Sequence, residues 1–273
     1  MRQNFANFLA APFVGGALLF LYLTWTKDSY LAPWIIPFVV MATLIYVFSP
    51  QLNWWWYSRH PPALPAGLQD LLERSTVFYQ SLKKAEKQRF HDRTALFMMA
   101  TDWTPMAWPD ETVPLDVQLA LATQAVTLTL NRPDFLFGKF EKVIVYPYPF
   151  PSPEYDFVHA SELYEADGCL LFSAQQLMLA YIEPAKYYNV GMHEYAKAFV
   201  LLNPQLDWPD LADPAIWEKL QVCSQMSRQH VESVVGLSDL PALPVAMHHY
   251  FIFPEQFRVV LPELAARFDR IFK

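Results

Sequence analysis

Two uncharged apolar runs near the N-terminus constrain this chain more than any other feature. Residues 8–25 (FLAAPFVGGALLFLYLTW) and 30–48 (YLAPWIIPFVVMATLIYVF) contain no Asp, Glu, Lys or Arg. At about 1.5 Å per residue, each run as a helix covers most of a hydrocarbon layer roughly 30 Å thick. Two buried core helices are the alternative, and paired uncharged runs of this length argue against it. Only Arg2 precedes the first run, no clear small-residue cleavage site follows it, and the second run comes at once. The pair therefore reads as a retained transmembrane hairpin and not as a cleaved leader. Trp25, Tyr30, Trp34 and the cluster Trp54, Trp55, Trp56, Tyr57 suit the interfacial belts at helix ends. Pro12, Pro33 and Pro37 fall close to helix starts, where a missing N–H costs least.

A hairpin through residues 8–48 returns the chain to the side on which it started. The connecting loop, 26–29, offsets Lys27 with Asp28, whereas Arg2, Arg59, Arg74, Lys83 and Lys84 lie on the other side. That bias places the following domain in the cytoplasm, held at the inner membrane. The two cysteines, Cys169 and Cys223, are far apart and lack a CxxC spacing, as suits a reducing compartment. A net charge of -7 argues against nucleic acid as the main partner.

The chain then reads as a hairpin over 1–50, a Trp/Pro-rich linker over 51–67 and one domain over 68–273. With 16% aromatic residues it can build a sizeable core. Helical spacing runs through 68–99, with Leu71, Leu72, Val77, Phe78 and Leu82 on the apolar positions, and again through 115–130. Residues 140–146 (FEKVIVY) read as a strand ended by Pro147, and 168–173 (GCLLFS) as a second. Helices are expected over 175–182, 187–202, 214–235, 241–253 and 256–272. Many helices with a small sheet make an α+β domain.

The chemistry sits in the run NVGMHEYAKAFVLL, which holds His193, Glu194, Tyr195, Ala196 and Lys197. In an HExxH helix two histidines, four residues apart, bind zinc, and the glutamate between them acts as general base on the zinc-bound water. Here Lys197 stands at the second histidine position. An ammonium has three donors and no lone pair, so it cannot ligate zinc. Taken alone, a His-Glu pair on a partly buried helix is the simpler account. An i,i+3 spacing also lets Lys197 pair with Glu194 in place of a metal.

The flanking pieces change that account. VIVYPYPF (143–150), GCLLFS (168–173), YNVGMHEYAKAF (188–199) and the closing AMHHYFIFPEQFRVVLPELAARFDRIF (246–272) resemble, in sequence and order, the MtfA-like zinc metallopeptidases, which are bacterial zincins. The resemblance implies a zincin-like domain over most of 68–272, a first zinc ligand at His193 and a general base at Glu194. It puts the second ligand at Lys197, which does not match, and the third at His248, where the family has a glutamate. It also implies a peptide-binding strand, expected at Cys169, Leu170, Leu171 and Phe172. His249 would point about 100° away from His248, and His230 and Glu232, in the preceding helix, are the further candidates for the gap.

Two functional expectations follow. The first is a membrane-anchored homologue with an incomplete zinc site, without bound zinc, inactive, and serving as a protein-binding or regulatory domain. Family precedent for protein binding exists, since one member binds a transcriptional repressor. The second is an active zinc peptidase that uses His193, His248 and a further ligand, with Glu194 as base.

Overall fold

The computed structural model describes residues 5–75, 77–109 and 111–273. Arg2, which enters the charge count above, lies outside them, as do Thr76 and Asp110. The chain divides into two compact units, residues 1–62 and 63–273.

The first unit is a helical hairpin. Helix α1 (Phe5–Thr26) is followed by a short 3-10 turn (Ser29–Trp34) and helix α2 (Ile35–Val47). Asp28 caps that turn, its carboxylate accepting from the Tyr30 N–H. Phe20 of α1 stacks on Phe38 and Trp34, which fixes the two arms antiparallel. Both arms are long and apolar enough to cross a membrane, and their side chains are exposed, the reverse of a core helix. A third helix, α3 (Ser49–Tyr57), follows at once, so the first part of the expected linker is helical. Its Pro50 occupies the first turn, where no helical N–H is lost. Asn53 on α3 accepts the free Ala6 N–H at the start of α1, and Phe5 stacks on Trp56. Only 61–65, with three prolines, is extended.

The second unit is helix-rich around a four-stranded mixed sheet. Helices α4 (Ala66–Ser75), α5 (Val77–Ser81) and α6 (Lys84–Ala100) replace the single helical run expected over 68–99. Strand β1 (Asp102–Pro105) leads to α7 (Leu115–Thr129), then β2 (Lys142–Tyr146), β3 (Ser161–Tyr164) and β4 (Cys169–Ser173). Helices α8 (Ala174–Ile182), α9 (Val190–Leu202), α10 (Ala215–Ser224), α11 (Arg228–Val235), α12 (Ala242–Ile252), α13 (Pro254–Val260) and α14 (Pro262–Phe272) complete the chain. The helix expected over 214–235 breaks where Gln225 turns left-handed and Ser227 caps a new start. The helix expected over 256–272 breaks at Pro262, which cannot donate to the preceding turn.

Helix α7 is buried on nearly every side, packing against α6, α8 and α9. Its buried hydroxyls need partners, and Thr123, Thr127 and Thr129 donate back to carbonyls within the same helix. The strand order is β1-β2-β4-β3, with β1, β2 and β4 parallel and β3 antiparallel to β4. Strand β4 therefore has a neighbour on each side. The expectation that Cys169, Leu170, Leu171 and Phe172 form a free peptide-binding edge is corrected here: the N–H and C=O groups of an inner strand are already shared with its neighbours. The edge beside α9 is β3, a strand too short and too polar to be read from its sequence. The turn between β3 and β4 closes at Gly168, whose φ of 63° suits glycine and whose missing Cβ leaves room for the Lys139 carbonyl.

Candidate functional site

Helix α9 begins at Asn189, whose side chain accepts from the Met192 N–H at 2.9 Å and so satisfies one of the free donors of the first turn. That cap sets the rotation of the helix, and His193 and Glu194 are carried one turn further into the protein. Both have no solvent exposure. Strand β3 lies against α9, and Ser161 Oγ donates to Glu194 Oε1 at 2.9 Å. The other carboxylate oxygen, Oε2, stands 2.8 Å from Lys197 Nζ, an i,i+3 pair on the helix. The lysine side chain is 24% exposed, whereas the carboxylate it reaches has no exposure.

Burial pushes the Glu194 carboxyl up. The charge of Lys197, the neighbouring His193, and hydrogen bonds from Lys197 and Ser161 outweigh it and hold the group below its ordinary value. Glu194 is thus a charged carboxylate with both oxygens engaged.

His193 is different. Burial, reinforced by the Lys197 charge and opposed by Glu194, pushes its imidazole down to about 4, so the ring is neutral at neutral pH. Its Nδ1 meets the Tyr188 hydroxyl at 2.7 Å, and its Nε2 is buried with no hydrogen-bond partner. The Tyr188 ring touches both His193 and His248, so the sequence-predicted pair does converge on one tyrosine.

His248, fully buried on α12, is also held well below its ordinary value, by burial first and then by His249 and His193. Its Nε2 accepts the backbone N–H of Asn189 at 3.2 Å, which uses that lone pair. Its Nδ1 faces His249 Nδ1 at 3.4 Å. His249 points to α10 instead, with Nε2 2.8 Å from Ser224 Oγ and Nδ1 2.7 Å from the Val245 carbonyl. Of the other residues that might have filled the gap, His230 is exposed and Glu232 pairs with Arg228 at 2.7 Å. Neither reaches α9 in the contacts it makes.

Sequence reasoning missed three contributors. Ser161 and Tyr188 carry no motif of their own; each is recognisable only once folding has placed it beside Glu194 or His193. The third is a second buried pair, His159 and Glu162, with Nε2 to Oε2 at 3.1 Å. Side chains alternate along a strand, so Ser161 and Glu162 leave β3 on opposite sides. Gly236 ends α11 against the start of β3: a Cβ there would lie 2.6 Å from His159 Cα, and the preceding Val235 carbonyl accepts the Ala160 N–H at 2.7 Å.

The model of the glucose-regulated metallo-peptidase M90 family matches residues 52–221. The chain belongs to this family. It is the MtfA-like family of the sequence resemblance. No curated protein matches the chain. The M90 match includes His193, Glu194 and Lys197, while His248 lies beyond its end.

M90 peptidases are normally zinc-dependent, and the residues present do not fit such an ion. Lys197 offers donors where a lone pair is needed, and His248 spends its Nε2 on a backbone N–H. Among the described residues, no three His, Cys, Asp or Glu side chains converge as a metal-binding group. Only His193, with its unpartnered Nε2, retains the disposition of a ligand. A cavity of about 420 Å³ lies elsewhere, lined by Phe78, Leu82, Tyr250, Phe251 and Arg258, and none of the motif residues borders it.

Proposed function

We propose that this chain is a membrane-anchored member of the M90 family that works without a catalytic metal, as a protein-binding or regulatory domain on the cytoplasmic side of the membrane. The observation that carries this reading is the state of Glu194. A general base must reach a water and a substrate, within about 3 Å of each. The Glu194 carboxylate is buried and already holds the Lys197 ammonium and the Ser161 hydroxyl.

Support for a protein partner comes from the surface beside the same strand. Strand β3 is the end strand of the sheet, and among the described residues it pairs with β4 alone. The loop leading into it exposes Tyr148, Phe157 and Val158. An end strand beside exposed apolar side chains suits an extended peptide segment, with main-chain pairing for affinity and the side chains for selectivity. The hairpin supports anchoring, and the Lys/Arg bias of its flanks supports the cytoplasmic side.

One observation favours the alternative, an active zinc peptidase with a rearranged ligand set: the orphaned His193 Nε2. Elemental analysis of the purified full-length protein in detergent, beside a His193→Ala control, separates the two. The proposal expects substoichiometric zinc in both and no hydrolysis of unstructured protein substrates. One zinc per chain, lost in the control, would establish the peptidase reading instead.

A further inference from the structure

We infer that Lys197 is a resident counter-cation: its ammonium performs, from within the chain, the charge-neutralising task that a divalent ion performs where this helix carries two histidines, and it thereby ties α9 to the edge strand β3. The inference rests on the metal-free part of the reading above and is independent of any partner.

A carboxylate with no solvent exposure, as in Glu194, needs a cation or enough hydrogen bonds to replace its water. Ser161 supplies one hydrogen bond, to Oε1. Among the described residues, the cation placed on the remaining oxygen is Lys197, its Nζ 2.8 Å from Oε2. Its place three residues on from Glu194 is decisive, because one helical turn puts both side chains on the same face and a four-carbon stem spans the gap. The lysine side chain is partly exposed, so the pair differs from two fully buried charges, whose desolvation is costlier.

The same contact has a mechanical side. Glu194 is the shared acceptor of one donor on α9 and one on β3. A neutralised carboxylate can hold Ser161, the first residue of the strand. A bare one would draw water or a proton, and the link to β3 would loosen. Lys197 is thus a positioning residue for β3.

The pair is asymmetric, and that gives a test. Without Glu194, the lysine can turn to solvent. Without Lys197, the glutamate cannot. Thermal unfolding and hydrogen exchange of the full-length protein in detergent should be compared for wild type, Lys197→Met, Glu194→Gln, the double variant and Lys197→Arg. Lys197→Met should lower the midpoint by roughly 10 °C and remove amide protection across residues 161–164. Glu194→Gln should lower it less. The double variant should stand above Lys197→Met in both readouts, and Lys197→Arg should keep most of the wild-type values. If Lys197→Met does not fold, a folded double variant gives the same support.

Additive losses in the double variant, or a double variant that fails to fold with Lys197→Met, would overturn the inference by showing that the stem's packing matters and its charge does not. A chelator arm reads the underlying premise separately. A wild-type midpoint unmoved by EDTA supports it, while a fall that zinc reverses would overturn the metal-free reading and this inference with it, whatever the cycle shows.

Discussion

Strand β3 has a buried carboxylate on each side, and the two sides are built differently. Toward the helices, Glu194 is held by a lysine and a serine beneath packed α9, among histidines that burial keeps neutral. Away from them, Glu162 meets His159, Nε2 to Oε2, beneath the irregular loop 147–159. His159 also turns its Nδ1 to the Phe157 carbonyl at 3.1 Å, so both ring nitrogens face acceptors. The helix side is a closed assembly of regular structure, and opening it means separating helices. The loop side can be wetted by local opening, which costs far less than global unfolding. The two carboxylates, one on α9 and one on β3, thus sit in different surroundings, and perturbing each should separate them.

Acid should strike the helix side hardest. His193 and His249 are both pushed down to about 4 by burial, so the folded state keeps them neutral while the unfolded chain protonates near its ordinary value of about 6.5. Between those values the unfolded state binds more protons. The stabilisation is therefore complete above about pH 6.5 and is lost as pH falls toward 4. The two rings together should cost on the order of 4 kcal/mol between pH 7 and 4.5, read from urea unfolding at several pH values. Stability that stays flat across that window would break the assignment of neutral rings.

Removing the cation at neutral pH comes next. Lys197→Met should cost about 3 kcal/mol by denaturant midpoint, because it leaves a buried carboxylate without its counter-charge. His159→Leu should cost about 2 kcal/mol, since the loop above Glu162 can open to water. Equal losses at the two positions would erase the contrast between the sides of the strand. Ser161→Ala, which removes one neutral donor and leaves the ion pair, should cost about 1 kcal/mol. A loss as large as that of Lys197→Met would move the weight of the site from the charge to the hydroxyl.

These residues also show where sequence reading succeeds and where it stops. The hairpin was legible because apolar length is a one-dimensional property. Helix α9 was legible because His193, Glu194 and Lys197 follow within about one turn of one another, a distance that sequence spacing encodes directly, although its cap at Asn189 starts it three residues later than the expected 187. The Lys197–Glu194 contact follows from the same local geometry. Strand β3 was not legible. Four residues, SELY, show too little alternation to announce a strand, and their pairing with β4 is set by the tertiary structure. The edge was consequently assigned to the more apolar β4, whose run CLLFS reads as buried because it is an inner strand with neighbours on both sides. Tyr188 touches both His193 and His248, but the use of the His248 Nε2 by the Asn189 N–H depends on how two distant helices meet. No local pattern carries that.

A counter-ion fixed by a covalent stem has no dissociation constant. If Lys197 fills that place, as inferred above, the domain needs no loading step after synthesis, shows no mixture of filled and empty molecules, and keeps its folding midpoint when trace metal is scarce.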